Sequence, residues 1–254
     1  MLRELQRGGA LSWHQKFFKG LALEFWRDAV PSHVTAEETA FIEYHLGLFA
    51  GAKVLDAPCG DGRLAVPLAE RGYMITGIDL SADSLDHARQ QKETNASFVE
   101  HDMIDMPWQA AFDGAFCMGN SFGYFDRKDT EHFLSSIGRA LKPGATFILD
   151  TCLAAETFLV LGGQKEWVQV GDIFMLMNNQ YDCQSGRLHS TFRFMRGPQH
   201  EEKQSTHWIF TVADICSMCE RAGLHVSGLL GSLQGEPYEI GSERLLLIAR
   251  KPEV

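Results

Sequence analysis

The residues able to do chemistry stand at the ends of apolar runs. In VLDAPCGDGR (54–63), Asp56 closes such a run, and Gly60 and Gly62 flank a second acid, Asp61. Glycine lets a backbone approach a ligand closely and adopt conformations closed to other residues. Glycine-rich turns of this kind hold phosphates in dinucleotide folds, with the spacing GxGxxG. Here the turn reads Gly60-Asp61-Gly62-Arg63-Leu64-Ala65, and alanine can take the third place. Two carboxylates, however, repel a pyrophosphate at short range. A ligand carrying an ammonium or a sulfonium group suits them better. Asp79 closes YMITGID, where an acid can accept from both hydroxyls of a ribose. Asp102, in HDMIDMPW, can accept from an adenine amine, with Met103 against the ring. Three successive strand ends thus each present an acid, at the edge where open parallel sheets bind ligands.

Those positions need elements that set them side by side. Lys53–Ala57, Tyr73–Asp79, Ala96–Glu100, Asp113–Met118 and Ala145–Asp150 read as strands. Arg63–Glu70, a segment capped by Ser81 and running to about Glu93, and Asp126–Leu141 read as helices. Gly72 and Lys-Pro-Gly at 142–144 supply stops. Strands alternating with helices predict βαβ units and a parallel sheet. Residues 1–50 read as helical, with a capping box at Thr35-Ala-Glu-Glu38 and Gly51 as the stop. Residues 165–211 carry strand signals and no helix. Ile173–Tyr181, Arg187–Met195 and Ser205–Phe210 are expected to be antiparallel, turning at Ser185-Gly186 and Gly197-Pro198. Helix Val212–Ala222 and two closing strands, Leu224–Leu230 and Arg244–Ala249, resume the doubly wound pattern. The expectation is one domain. It has an N-terminal helical lid (1–50), a core (51–151 and 212–251) and an antiparallel insertion (152–211) roofing the site.

Composition removes several classes of partner. A net charge of -10 without a Lys/Arg cluster argues against nucleic acid, which needs basic patches. No apolar run approaches membrane-span length, and MLRELQRGGALSW lacks an apolar signal core. A cytoplasmic monomer or homodimer with no membrane partner is expected. Six scattered cysteines do not form a secreted disulfide framework. Cys216-x-x-Cys219 has no second pair to complete a zinc site and falls in a helical stretch, so it reads as core, and no metal is expected.

Taken together, VLDAPCGDGR, GIDLS (77–81), HDMIDMPW, FDGAFCMGNSFGYF (112–125) and LKPGATFILD (141–150) resemble the class I S-adenosylmethionine-dependent methyltransferases. The resemblance covers most of residues 50–150. It implies an α/β, Rossmann-like seven-stranded sheet ordered 3-2-1-4-5-7-6, the last strand antiparallel, with helices on both faces. It also implies S-adenosyl-L-methionine as cofactor and S-adenosyl-L-homocysteine as product. The implied cofactor contacts are Asp56, Ala57, Gly60, Gly62 and Arg63 at the turn, Asp79 and Leu80 at the ribose, and Asp102, Met103 and Met118 near the adenine. Trp26 is expected over the cofactor, or packed on a sheet edge. Pro58-Cys59 departs from the small residue and Gly-Cys commoner in this turn.

Cys117-Met-Gly-Asn-Ser-Phe is similar to the corresponding stretch of glycine N-methyltransferase-like enzymes. That similarity implies a small-molecule methyl acceptor, methylated at nitrogen or oxygen by in-line displacement. A non-catalytic cofactor-binding regulator and a nicotinamide-dependent oxidoreductase stay open at this point. Candidate acceptor-side residues are Asn120 through its amide, Tyr124 as a donor, Arg193 for a carboxylate and His207 as a base near neutral pH. Arg193 is preferred over Arg187 and Arg196 because it shares a strand face with His189, opposite Leu188, Phe192 and Phe194.

Overall fold

Val54 and Leu55 are neighbours and both fully buried, yet they pack on opposite sides of one sheet. A strand covered on both faces requires that alternation. The computed structural model describes residues 13–91, 95–163 and 165–253. Helices α1 (Trp13–Phe17), α2 (Leu21–Asp28) and α3 (Ser32–Leu46) come first. Strand β1 (Lys53–Asp56) leads through α4 (Ala65–Glu70) to β2 (Met74–Asp79), then through α5 (Ala82–Gln90) to β3 (Ala96–Glu100). Strand β4 (Phe112–Cys117) leads through α6 (Arg127–Ala140) to β5 (Leu141–Thr151). Then come α7 (Ala155–Leu161), β6 (Lys165–Val170), β7 (Ile173–Asp182), β8 (Arg187–Arg196) and β9 (Gln199–Trp208). Helix α8 (Val212–Arg221), β10 (His225–Leu230) and β11 (Leu245–Arg250) close the chain.

The main sheet has seven strands in the order β3-β2-β1-β4-β5-β11-β10. Strand β11 runs antiparallel to both β5 and β10, as expected for the last strand. On one face, Phe41, Ile42 and Leu46 of α3 and Leu68 of α4 meet Val54, Phe116, Ile148 and Leu246. On the other, Phe133 and Ile137 of α6 and Ile215 and Met218 of α8 meet Leu55, Phe147, Leu149 and Leu247. Cys219 is buried in that second cluster, and Cys216 packs against it. Strand order reverses between β1 and β4, the switch point where such sheets bind ligands.

A separate antiparallel sheet runs β6-β7-β8-β9. The burial pattern of β8 alternates, with Leu188, Ser190, Phe192 and Phe194 inward. Phe17, Leu21, Ala22 and Phe25 of α1 and α2 lie on that inner face, against Ile173, Met175, Phe192 and Phe194.

Several expectations change. Thr35 and Glu38 form no capping box. Pro31 starts the helix a turn earlier, Thr35 donates its backbone N–H to Pro31, and the Glu38 carboxylate turns inward to two arginines. That helix stops at Gly47, in the left-handed region at φ 59°, rather than at Gly51. Strand β6 falls in the stretch with strand signals but is not one of the three strands expected there, and helix α7 lies where no element is expected. Strand β6 is an edge strand and α7 is a helix of about two turns with Leu159, Val160 and Leu161 exposed, so neither shows a clean apolar period. Strand β9 begins at Gln199 rather than Ser205, because its first half is polar and solvent-facing. The expected helix end near Glu93 lies outside the described residues, as does all but Trp13 of the N-terminal segment read for a signal core. Among the described residues, no helix is long and apolar enough to cross a membrane.

Candidate active site

Strand β1 delivers Asp56 to the switch point, and the turn after it is fixed by its neighbours. The Cys59 N–H donates to Ile78 O at 2.8 Å, and the Gly60 N–H to Asp79 Oδ2 at 2.9 Å. Asp79 Oδ1 accepts from the Ser81 N–H at 2.8 Å. One carboxylate at the end of β2 therefore holds both the glycine turn and the start of α5. Gly62 has φ 81°, and a Cβ there would stand 3.0 Å from the Phe98 ring. Only glycine satisfies both demands. Asp102, past β3, accepts from the Ile104 N–H at 3.0 Å and so fixes its own loop.

These strand ends open on one cavity of about 210 Å³. Asp56, Asp61, Asp79 and Asp102 line it, together with Leu80, Met103 and Met118. Burial pushes the Asp56 carboxyl well above its usual range, against the opposing pull of Arg63. Burial also raises Asp79, while its backbone donors hold it down. The two cations of the lining are engaged by carboxylates. Arg63 pairs with Glu38 at 2.7 Å, and Arg27 with Asp61 at 3.7 Å.

Five rings, His14, Phe18, Trp26, Tyr124 and Phe125, share the wall with apolar Leu23, Pro58 and Leu64 and with small polar residues such as Ser81 and Ser121. The His14 ring stacks on Tyr124, centroids 5.7 Å apart and planes at 11°. Trp13 meets Tyr124 edge-on at 4.9 Å. Burial raises the Tyr124 phenol far above its ordinary value, so it stays protonated, hydrogen-bonded with the Ser121 hydroxyl. His207 sits behind Tyr124 at 5.4 Å and is pushed down to about 4, first by burial and then by His14. Burial likewise lowers His14, opposed by Asp102. Both imidazoles are uncharged at neutral pH.

The structure brings Asp56, Gly60, Arg63, Asp79, Leu80, Asp102, Met103, Met118, Trp26 and Tyr124 to the cavity. Ala57 lies buried beneath it, its N–H donating to Phe116 O, and Gly62 faces Phe98. Asn120 points away: its Oδ1 accepts from Thr151 Oγ1 at 3.1 Å and the Cys152 N–H at 2.9 Å. Arg193 is on the outer face of the second sheet, 69% exposed and paired with Glu202 at 2.9 Å. The apolar face of β8 is the one turned inward, so the opposite face could not reach the cavity. His207 supports the aromatic wall from behind and does not line it. Among the described residues, the four-stranded sheet contributes no lining side chain; α1, α2 and their flanking residues form the cover, and the sheet backs them. Phe18 belongs to the aromatic-rich segment around Trp26, while His14, Ser121 and Phe125 give no local sign of a site. An aromatic stripe at helical spacing, as in 13–18, reads as core, and only the packing of α1 turns one edge of it to the site. Among the described residues, no three His, Cys, Asp or Glu side chains are grouped to hold a metal ion.

The methyltransferase-domain family matches residues 54–144. The chain is 31% identical to a cypemycin N-terminal methyltransferase from a Streptomyces species, over 79% of this chain and 84% of that relative. Its fold is similar to the CcbJ methyltransferase from Streptomyces caelestis, with a TM-score of 0.80 at 19% identity over 95% and 98% of the two chains. It is also similar to S-adenosylmethionine-bound CalS10, an amino pentose methyltransferase from Micromonospora echinaspora, with a TM-score of 0.69 at 16% identity over 92% and 97%.

Proposed function

The chain belongs to the S-adenosylmethionine-dependent methyltransferases, and from that premise we propose that it methylates the nitrogen of a small-molecule amine. The residues present fit the cofactor. Buried acids in a cavity, with the nearby arginines already paired, favour a ligand carrying positive charge. We assign Asp56, Gly60, Asp61 and Arg63 to its amino-acid part, Asp79 and Leu80 to the ribose, and Asp102, Met103 and Met118 to the adenine. Trp26 and its helix form the lid. Ala57 and Gly62 act by shaping the turn. S-adenosylmethionine supplies a methyl group made electrophilic by its positive sulfur. The protein's part is to align the acceptor, exclude water and see that the attacking atom carries a lone pair.

One observation carries the choice of nitrogen: the rings of His14, Phe18, Trp26, Tyr124 and Phe125 share the cavity with four carboxylates. Aromatic faces and carboxylates attract an amine in its ammonium form. His14, neutral and lining the wall, is placed to take the proton that frees the lone pair. Imidazoles of lowered basicity suit an amine, whereas an alcohol would need a stronger base. The relatives named for N-terminal and amino-sugar methylation support the same reading. The test is a matched pair of small apolar acceptors, one bearing an amine and the other a hydroxyl at the same place. S-adenosylhomocysteine release should be faster with the amine by a factor of ten or more, on the order of 1.4 kcal/mol. Equal or reversed rates would remove the nitrogen assignment.

A further inference from the structure

Arg244 lies far along the chain from every cofactor motif and does not line the cavity, yet it is the centre of a buried chain of charges. Its Nη2 is 2.9 Å from Glu38 Oε1 and 2.8 Å from Asp150 Oδ2, and its Nε donates to Asp150 Oδ1 at 2.9 Å. The side chains of Glu38 and Asp150 are 5% and 6% exposed. At one end, Glu38 Oε2 holds Arg63 Nη1 at 2.7 Å, and Arg63 also donates to Thr35 Oγ1 at 3.1 Å. At the other end, Asp150 Oδ2 accepts from the Gly119 N–H at 3.1 Å. Signs alternate along the chain: Arg63, Glu38, Arg244, Asp150.

Both ends touch the cavity. Arg63 lines it and is the cation that opposes the burial of Asp56. Gly119 lines it where β4 gives way to the loop carrying Ser121 and Tyr124. Gly119 and Asn120 both hold positive φ, 75° and 63°, a conformation that must be held by outside contacts. Those contacts come from the end of β5: Asp150 on Gly119, and Thr151 and Cys152 on Asn120. Asp150, which holds Gly119, is thus itself tied through Arg244 and Glu38 to Arg63 in the cofactor turn.

We propose that Arg244 is a positioning residue that couples the cofactor turn to the acceptor loop through Glu38 and Asp150. A planar guanidinium can bridge two carboxylates with separate N–H groups; a lysine offers the charge without the fork. Without the arginine, two buried carboxylates share one cation, Arg63, and draw it from Asp56. The inference rests on this chain being a methyltransferase, and not on which acceptor it uses.

The experiment is calorimetric affinity for S-adenosylhomocysteine, with thermal unfolding in parallel, for wild type, Arg244→Lys, Arg244→Met and Arg244→Met/Asp150→Asn. Arg244→Met is expected to bind ten-fold or more weakly, and Arg244→Lys by an intermediate factor. The double variant should recover much of the affinity, because the orphaned carboxylate is gone. Its Gly119 tie is altered, so where an acceptor is in hand its turnover should stay low while its KM for cofactor recovers. A purely structural role would lower the melting temperature of all three variants and leave affinity within two-fold of wild type; that result overturns the proposal. Should Arg244→Met not fold, the lysine variant alone decides by the same two-fold limit. The binding measurement needs no acceptor, so failure of the amine reading leaves this test intact.

Discussion

Asp79 has a structural role whatever it meets in the cavity. Its two oxygens hold the Gly60 and Ser81 N–H groups, which aims the carboxylate and fixes the turn beside it. Asp79→Ala should weaken S-adenosylmethionine binding by about 1–3 kcal/mol, the scale of lost hydrogen bonds to a charged group. Unchanged calorimetric affinity would refute the ribose assignment. His207 gives a different kind of prediction. Its folded value is lowered from 6.5 to about 4 by burial. Its neutral form is favoured in the fold, so the stability it contributes is complete above pH 6.5 and is lost as pH falls toward 4. At about 1.4 kcal/mol per pKa unit, the loss is about 3 kcal/mol. Denaturant melts of His207→Phe should show a shallower decline over that window than wild type. Parallel declines would show that the imbalance lies elsewhere.

At the scale of elements, the cover is α1 and α2, and their anchor is the second sheet. Phe25 is 1% exposed and meets Phe194 edge-on at 5.5 Å. Phe25→Ala should cost about 3–5 kcal/mol where the helix must stay docked. Hydrogen exchange should speed up in residues 13–28 and stay slow in β1, β4 and β5. Uniformly faster exchange would mean that the cover and main sheet unfold as one unit. The strand-end side of the cavity is legible in the sequence because its signals are local: an acid at a strand end, glycines in a turn, a serine cap. On the other side of the cavity the sequence reaches Tyr124 but not His14, because the two are 110 positions apart and meet only through packing. The same holds for Arg193. Alternation along β8 is legible, but which face looks inward depends on where α1 and α2 dock. Glu38 misleads for a related reason. A capping-box spacing is local, whereas its actual partners, Arg63 and Arg244, come from two distant elements.

For the whole molecule, the cavity gathers four carboxylates, Asp56, Asp61, Asp79 and Asp102. Burial raises Asp56 and Asp79 above their ordinary value of 3.8. Their protonated forms are favoured in the fold, so the stability they contribute is present below that value and is lost as pH rises through the raised ones. A bound cation favours the carboxylates and offsets the loss. The rise in Tm on adding S-adenosylmethionine should therefore grow with pH above the ordinary carboxylate range. At a hundred-fold excess over Kd the stabilisation is about 2.7 kcal/mol. A Tm rise that is flat or shrinking with pH would contradict the charge match. Methyl transfer to an amine nitrogen can be read by product NMR after incubation with S-adenosylmethionine carrying a carbon-13 methyl group and a panel of small amino alcohols. Labelled N-methyl signals, matched one to one by S-adenosylhomocysteine, are expected. Labelled O-methyl signals without N-methyl product would contradict the nitrogen assignment.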